Sequence, residues 1–149
     1  MSALKIGAAM AVGVVLGAAG LAAAQSAAQA VLPLPTARFT GKKLGVIDID
    51  PVAFPCMKGY QLGLSLTTAV PGAGLAPHSH KPQWEVVQIV SGVLSVQRNG
   101  GPIEDHGPGD VMLNDQTVGR HQVLNRGTVP VVFYTAALGK PGGPAPPTQ

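Results

Sequence analysis

His78 and His80 stand one residue apart, Glu85 follows them, and His121 lies further along the chain. Imidazole and carboxylate donors together hold borderline or hard divalent cations, and a bound cation would offset the cost of burying the carboxylate. Side chains two apart in a strand project from the same face, so His78 and His80 predict a shared ligand, with Ser79 turned away. Pro82, in Lys81-Pro82-Gln83-Trp84, marks a turn, after which Glu85 opens the run Val86-Val87-Gln88-Ile89-Val90 in a new strand beside the histidines. The closing ligand is sought in His121-Gln122-Val123-Leu124-Asn125, where His121 and Val123 share one strand face. A structural zinc site is closed by its ligands, whereas three histidines and a glutamate around an octahedral ion leave positions open to water, substrate or oxygen. This donor set favours Fe(II) or Mn(II) and admits Zn, Ni, Co or Cu. His106 lacks such company and is read as structural or exposed. Asp48, Asp50, Glu104 and Asp105 are read as solvated turn and edge charges, while Gln83, Trp84 and Arg120 flank the ligands and are placed to touch them or a substrate.

Those ligands need strands to carry them, and the chain supplies a succession of short ones. Residues 44–49 form a first candidate, and residues 61–68 alternate with Leu62, Leu64 and Leu66 on one face, which predicts that this face packs into a core. The histidine and Glu85 strands follow, then residues 93–97, a turn at Asn99-Gly100-Gly101-Pro102, and a short strand at 103–106. Asn-Gly is a strong hairpin signal. Gly107-Pro108-Gly109-Asp110 turns the chain before residues 111–113, and after the His121 strand residues 129–138 supply the last one. Strand follows strand without a helical pattern, which predicts an all-β sandwich or barrel.

Composition sets the outer limits. A chain of 149 residues allows one domain of ordinary size. Charged residues make up 11% and hydrophobic ones 46%, with 20 glycines and 14 prolines, which suits short strands joined by turns. The formal charge of +3 is small and the ten basic residues are scattered, with no patch or aromatic interleaving that would suit nucleic acid. Residues 1–30 stand apart: Lys5 is the only charged side chain there, and the alanine-rich apolar run reads as a signal peptide cleaved after Ala24 or Ala30. That predicts a periplasmic or secreted protein with no stable membrane insertion after cleavage. The competing reading is a retained anchor, because the run is nearly long enough to span a bilayer. Cys56 is the single cysteine and has no partner for an internal disulfide; it is read as a small hydrophobe or free thiol without assigned function. Residues 31–42, with Pro33 and Pro35, read as a linker or loosely docked arm, residues 43–138 as the folded domain, and residues 139–149 as a disordered proline- and glycine-rich tail.

The spacing of the ligands resembles the cupin superfamily, whose first motif runs Gly, five residues, His-x-His, three or four residues, Glu, six residues, Gly. Gly72, His78, His80, Glu85 and Gly92 match every position. The family's second motif ends in His, three residues, Asn, matched by His121 and Asn125, but its preceding Pro-x-Gly is replaced by Asp115-Gln116-Thr117-Val118-Gly119-Arg120. The resemblance covers residues 43–138. It implies a double-stranded β-helix, the jelly-roll barrel, with a divalent metal inside held by His78, His80, Glu85 and His121, a single barrel per chain, and a homodimer.

The resemblance further implies a metal-dependent enzyme acting on a small oxygen-rich organic molecule, with dioxygenation, decarboxylation or isomerisation as the reaction classes and dioxygenase-like chemistry favoured. Glu85 would serve as ligand and, once loosened, as base. With aromatics at only 4% of residues, a large flavonoid-like ligand is not expected. The rival is a non-enzymatic metal or small-molecule binding module, since one fold hosts many functions. A cavity reaching the metal separates the two: an open one supports catalysis, and a barrel plugged by Met112, Phe133 or Trp84 supports binding or structure.

Overall fold

A computed structural model describes residues 30–81, 83–114 and 119–141. Its strands run in chain order as β1 (Thr40–Asp48), β2 (Gln61–Ala69), β3 (Gly74–His78), β4 (Trp84–Ser91), β5 (Leu94–Arg98), β6 (Ile103–His106), β7 (Val111–Asn114), β8 (His121–Leu124) and β9 (Val131–Gly139). A single 3-10 turn, Pro55–Met57, interrupts them, and no α-helix occurs among the described residues. The antiparallel strands form a five-stranded sheet in the order β1-β2-β9-β4-β7 and a four-stranded sheet in the order β3-β8-β5-β6. The chain passes repeatedly from one sheet to the other, and the result is the double-stranded β-helix that the alternating pattern and the motifs predict. The leader expected at residues 1–30 lies outside the described residues except for Ala30, as do residues 142–149 of the expected tail, Pro82, and residues 115–118 ahead of His121.

The core lies between the sheets. Val87 and Ile89 from β4, Phe133 from β9 and Met112 from β7 meet Leu94 and Val96 from β5 and Val123 from β8. Phe39 stacks edge-on against Phe133 with ring centroids 5.4 Å apart. Burying each large side chain of this set stabilises the fold by about 1.5–3 kcal/mol. Both glycines of the first motif are required by backbone geometry: Gly72 and Gly92 have φ of +79° and +76°. A Cβ on Gly72 would collide with Thr36, and one on Gly92 would lie 2.7 Å from the Pro130 carbonyl. The hairpin between β5 and β6 turns at Asn99 and Gly100, both at positive φ, as the Asn-Gly pair predicts.

Two expectations are revised. Leu62, Leu64 and Leu66 do not enter the core: Leu62 and Leu64 are 41% and 42% exposed on the outer face of the sheet. Ser65 and Thr67 turn inward instead, lining a cavity. Alternation separates the two faces of a strand but does not say which one is inside. The arm is also firmly held. Gln97 accepts a hydrogen bond from the Leu32 N–H at 3.0 Å and donates to the Ala30 and Gly101 carbonyls, while Gln122, its cross-strand partner, donates to the Pro33 carbonyl. Leu32 is buried beneath this clasp, and β1 begins at Thr40, inside the stretch read as arm. At the other end β9 continues to Gly139, one residue into the stretch read as tail.

Candidate metal centre

Neighbouring strands β3 and β8 carry His78 and His121, and their register sets these two residues directly opposite each other. His80 lies just past the end of β3, so it approaches from the loop and not, as the His-x-His alternation predicts, from the strand itself. The Nε2 atom of His80 is 3.1 Å from Nε2 of His78 and 3.2 Å from Nε2 of His121. One ligand atom from each of the three residues falls within 4.8 Å of the others. Imidazole nitrogens bound at about 2.1 Å to a common ion stand roughly 3.0–3.4 Å apart at octahedral or tetrahedral angles. Both distances to His80 fall in that range, so the three histidines could hold one ion.

Hydrogen bonding fixes which nitrogen the His78 and His80 rings present. His78 Nδ1 is 2.8 Å from the Ala76 carbonyl, which can only accept, so the proton sits on Nδ1 and the Nε2 lone pair points into the cluster. His80 Nδ1 faces the Glu85 carboxylate at 3.2 Å, which fixes the same tautomer. Two lone pairs thus meet at 3.1 Å, an arrangement that a shared cation resolves. His121 Nδ1 is buried and finds no hydrogen-bond partner among the described residues. Its ring is held by packing, stacked on His80 with centroids 4.8 Å apart. Three histidines so arranged could hold a metal ion, and the donor chemistry fits one.

The electrostatics favour the ligating form. Burial pushes His121 down to about 3, helped by the neighbouring His78 and His80 and by Arg98. Burial also lowers His78, against the Ala76 carbonyl that supports its protonated form, with His80 and Arg120 adding to the depression. Both rings are neutral at pH 7 and need lose no proton to bind a cation.

Glu85, the predicted fourth ligand, begins the β4 wall and reaches the cluster through His80, its Oε2 on the Nδ1 side of that ring. Arg120 donates from Nη2 to the Pro77 carbonyl at 2.8 Å, setting its guanidinium beside the histidines at the cavity edge. Gln83 lines the cavity, whereas Trp84 faces out against Tyr60. His106 lies on β6 near Glu104 and outside the histidine group. Asp105 is an exposed charge on the edge strand β6, as expected, and there it accepts from Ser95 and Arg126; those bonds, Ser95 first, lower its carboxyl below the usual range. Asn114, buried on β7 opposite Glu85, lines the site and was not singled out by its residue type. Only the alternation of Met112 and Asn114 on one strand face could have marked it.

The three histidines open onto a cavity of about 420 Å³ between the sheets. Leu75, Val87, Leu94, Met112, Val123 and Phe133 form its apolar wall. Met112 and Phe133 line this space and do not fill it.

The cupin domain family model matches residues 65–137, which carry every ligand candidate. The barrel of this chain is a cupin. Among solved structures, a Klebsiella pneumoniae protein with a double-stranded β-helix domain aligns at TM-score 0.55 and 17% identity, covering 76% of this chain and 86% of that one. A Cupin 2 conserved barrel domain protein from Salinispora arenicola aligns at TM-score 0.50 and 18% identity, covering 69% and 76%. A sugar phosphate isomerase of the cupin superfamily from Silicibacter pomeroyi aligns at TM-score 0.49 and 25% identity, covering 57% and 62%. These likenesses concern the fold. The comparison with curated proteins finds no match.

Proposed function

We propose that this protein is an exported metal-dependent enzyme acting on a small, oxygen-rich organic molecule, with dioxygenase-like chemistry favoured. The observation that carries the reading is the cavity of about 420 Å³ at the three histidines, because a plugged barrel would have left a metal there without access to substrate. His78, His80 and His121 would hold the ion, with Fe(II) or Mn(II) the favoured occupant of a nitrogen- and oxygen-donor site. Once bound, the ion supplies polarisation of a substrate carbonyl or enolate oxygen. Glu85 keeps the proton on His80 Nδ1 and so fixes that ring, and its carboxylate also lines the cavity, where it is the candidate base. The apolar wall excludes water from the substrate's far side, and Arg120 at the edge favours anionic groups. Export rests on the composition of residues 1–30.

Two copies pair through the outer face of the five-stranded sheet. Leu62, Leu64, Trp84, Val86, Leu113 and Tyr134 are exposed there, and none is charged, so self-pairing meets no like-charge repulsion from them.

The test is oxygen uptake by protein loaded separately with Fe(II) and Mn(II), across small diketones, phenols and hydroxy acids. Turnover that depends on the metal and is lost in His121→Ala upholds the reading. Silence with every metal and substrate class, in protein that retains its ion, would point to the binding module.

A further inference from the structure

The metal cavity does not end at the histidines. A second hollow of about 500 Å³ opens along the inner face of β1, β2 and β9, and Thr67, Gln83, Glu85 and Thr135 line both spaces. Ser65, Thr67 and Thr135 line it with hydroxyls; Lys43 lines it opposite Ser65, and Lys140 follows Gly139 at the Gln61 and Gln83 end. Neither lysine has an ion-pair partner among the described residues; Lys140 only lies over the Tyr60 ring at 5.4 Å. Glu85, the carboxylate that lines the hollow, sits at its inner end on His80.

Lys43 and Val46 line the same hollow because of a backbone irregularity. The β1 register shifts between Lys43 and Gly45, a bulge at Leu44. Without it, residues three apart would face opposite ways; with it, both Lys43 and Val46 line the hollow. Bulges re-aim side chains in this manner beside binding sites.

We infer that this trough is the subsite for an anionic group of the substrate, with Lys43 holding the carboxylate or phosphate end while the other end reaches the histidine site. The inference rests on the enzyme reading above and names its substrate class: a small organic acid anionic at both ends. Strand pairing sets the length. Lys43 pairs with Ser65, Ser65 with Thr135, and Thr135 with Val87 on the strand that carries Glu85. Three strand spacings make roughly 14 Å, and the lysine side chain covers part of that. What remains fits one ring or a short carbon chain.

The experiment is calorimetric titration of the full-length chain, with and without Mn(II), using hexanoate, adipate and 4-phosphonobutyrate. Adipate matches hexanoate in length and adds the distal carboxylate, while 4-phosphonobutyrate carries a phosphonate there. At least one double anion is expected to bind about tenfold more tightly than hexanoate, and Lys43→Gln to remove that advantage without changing hexanoate binding. Lys140→Gln, past the Gln61 and Gly139 pair, should leave that advantage in place. The tighter of the two double anions assigns the distal group as carboxylate or phosphate. No advantage over hexanoate, or an advantage that survives in Lys43→Gln, overturns the inference. A lysine-dependent advantage that is the same with and without Mn(II) upholds the trough and counts against the metal site instead.

Discussion

His121 illustrates how much one side chain depends on its surroundings. It is 2% exposed, its neighbours are two more imidazoles, and its ring stays neutral down to about pH 3. The unfolded chain takes up that proton near its ordinary value of 6.5. Between these two values the unfolded state binds more protons than the folded one. Stability of the metal-free protein is therefore highest above pH 6.5 and falls as the pH drops through the window, by up to about 1.4 kcal/mol per pH unit from this group. Urea melts from about pH 8 to pH 4 should trace the slope, and His121→Leu should lessen it, leaving the part that His78 contributes. The ligands themselves separate by role. His78→Ala combined with His80→Ala should abolish bound metal in elemental analysis, and undiminished metal would remove the site. Glu85→Gln, acting through the His80 ring, should lower metal affinity about 10–100-fold while leaving binding detectable. Complete loss in Glu85→Gln would make the carboxylate a direct ligand, as the motif implies.

At the scale of elements, Asn125 joins the two motifs. It is 1% exposed, and its amide donates to the carbonyls of Ala69 and Val129, both at 2.8 Å. Its backbone carbonyl also accepts from the Gly72 N–H, so the end of the His121 strand holds the turn that starts the His78 strand. Asn125→Ala leaves the buried Ala69 carbonyl and the part-buried Val129 carbonyl without these donors and should destabilise the protein by about 1–3 kcal/mol, read by urea melts, with weakened metal binding as β3 and β8 lose register. The strands themselves were legible from alternation and turn residues, because turn geometry at positions such as Asn99-Gly100 is a local property. Strand ends were less so: His80 lies outside β3 because the stop is set by pairing with β8, which the local sequence does not encode.

For the whole molecule, the outer face of the five-stranded sheet leads to a prediction about assembly. Light scattering should give a dimer, and Leu64→Asp, which sets a charge in the middle of that face, should give a monomer that keeps its metal. A dimer unaffected by Leu64→Asp would place the contact elsewhere. The sequence by itself determined the all-β class, the donor types and the two glycine turns, because residue periodicity, ligand chemistry and positive φ are fixed within a few residues of chain. The tertiary structure alone decided that Leu62 and Leu64 lie outside while Ser65 and Thr67 line a cavity. It alone set Glu85 behind His80 and brought Lys43 to the same hollow. Which face of a strand is buried, and which distant side chains meet there, depends on what the opposite sheet covers, and that is settled only when the barrel closes.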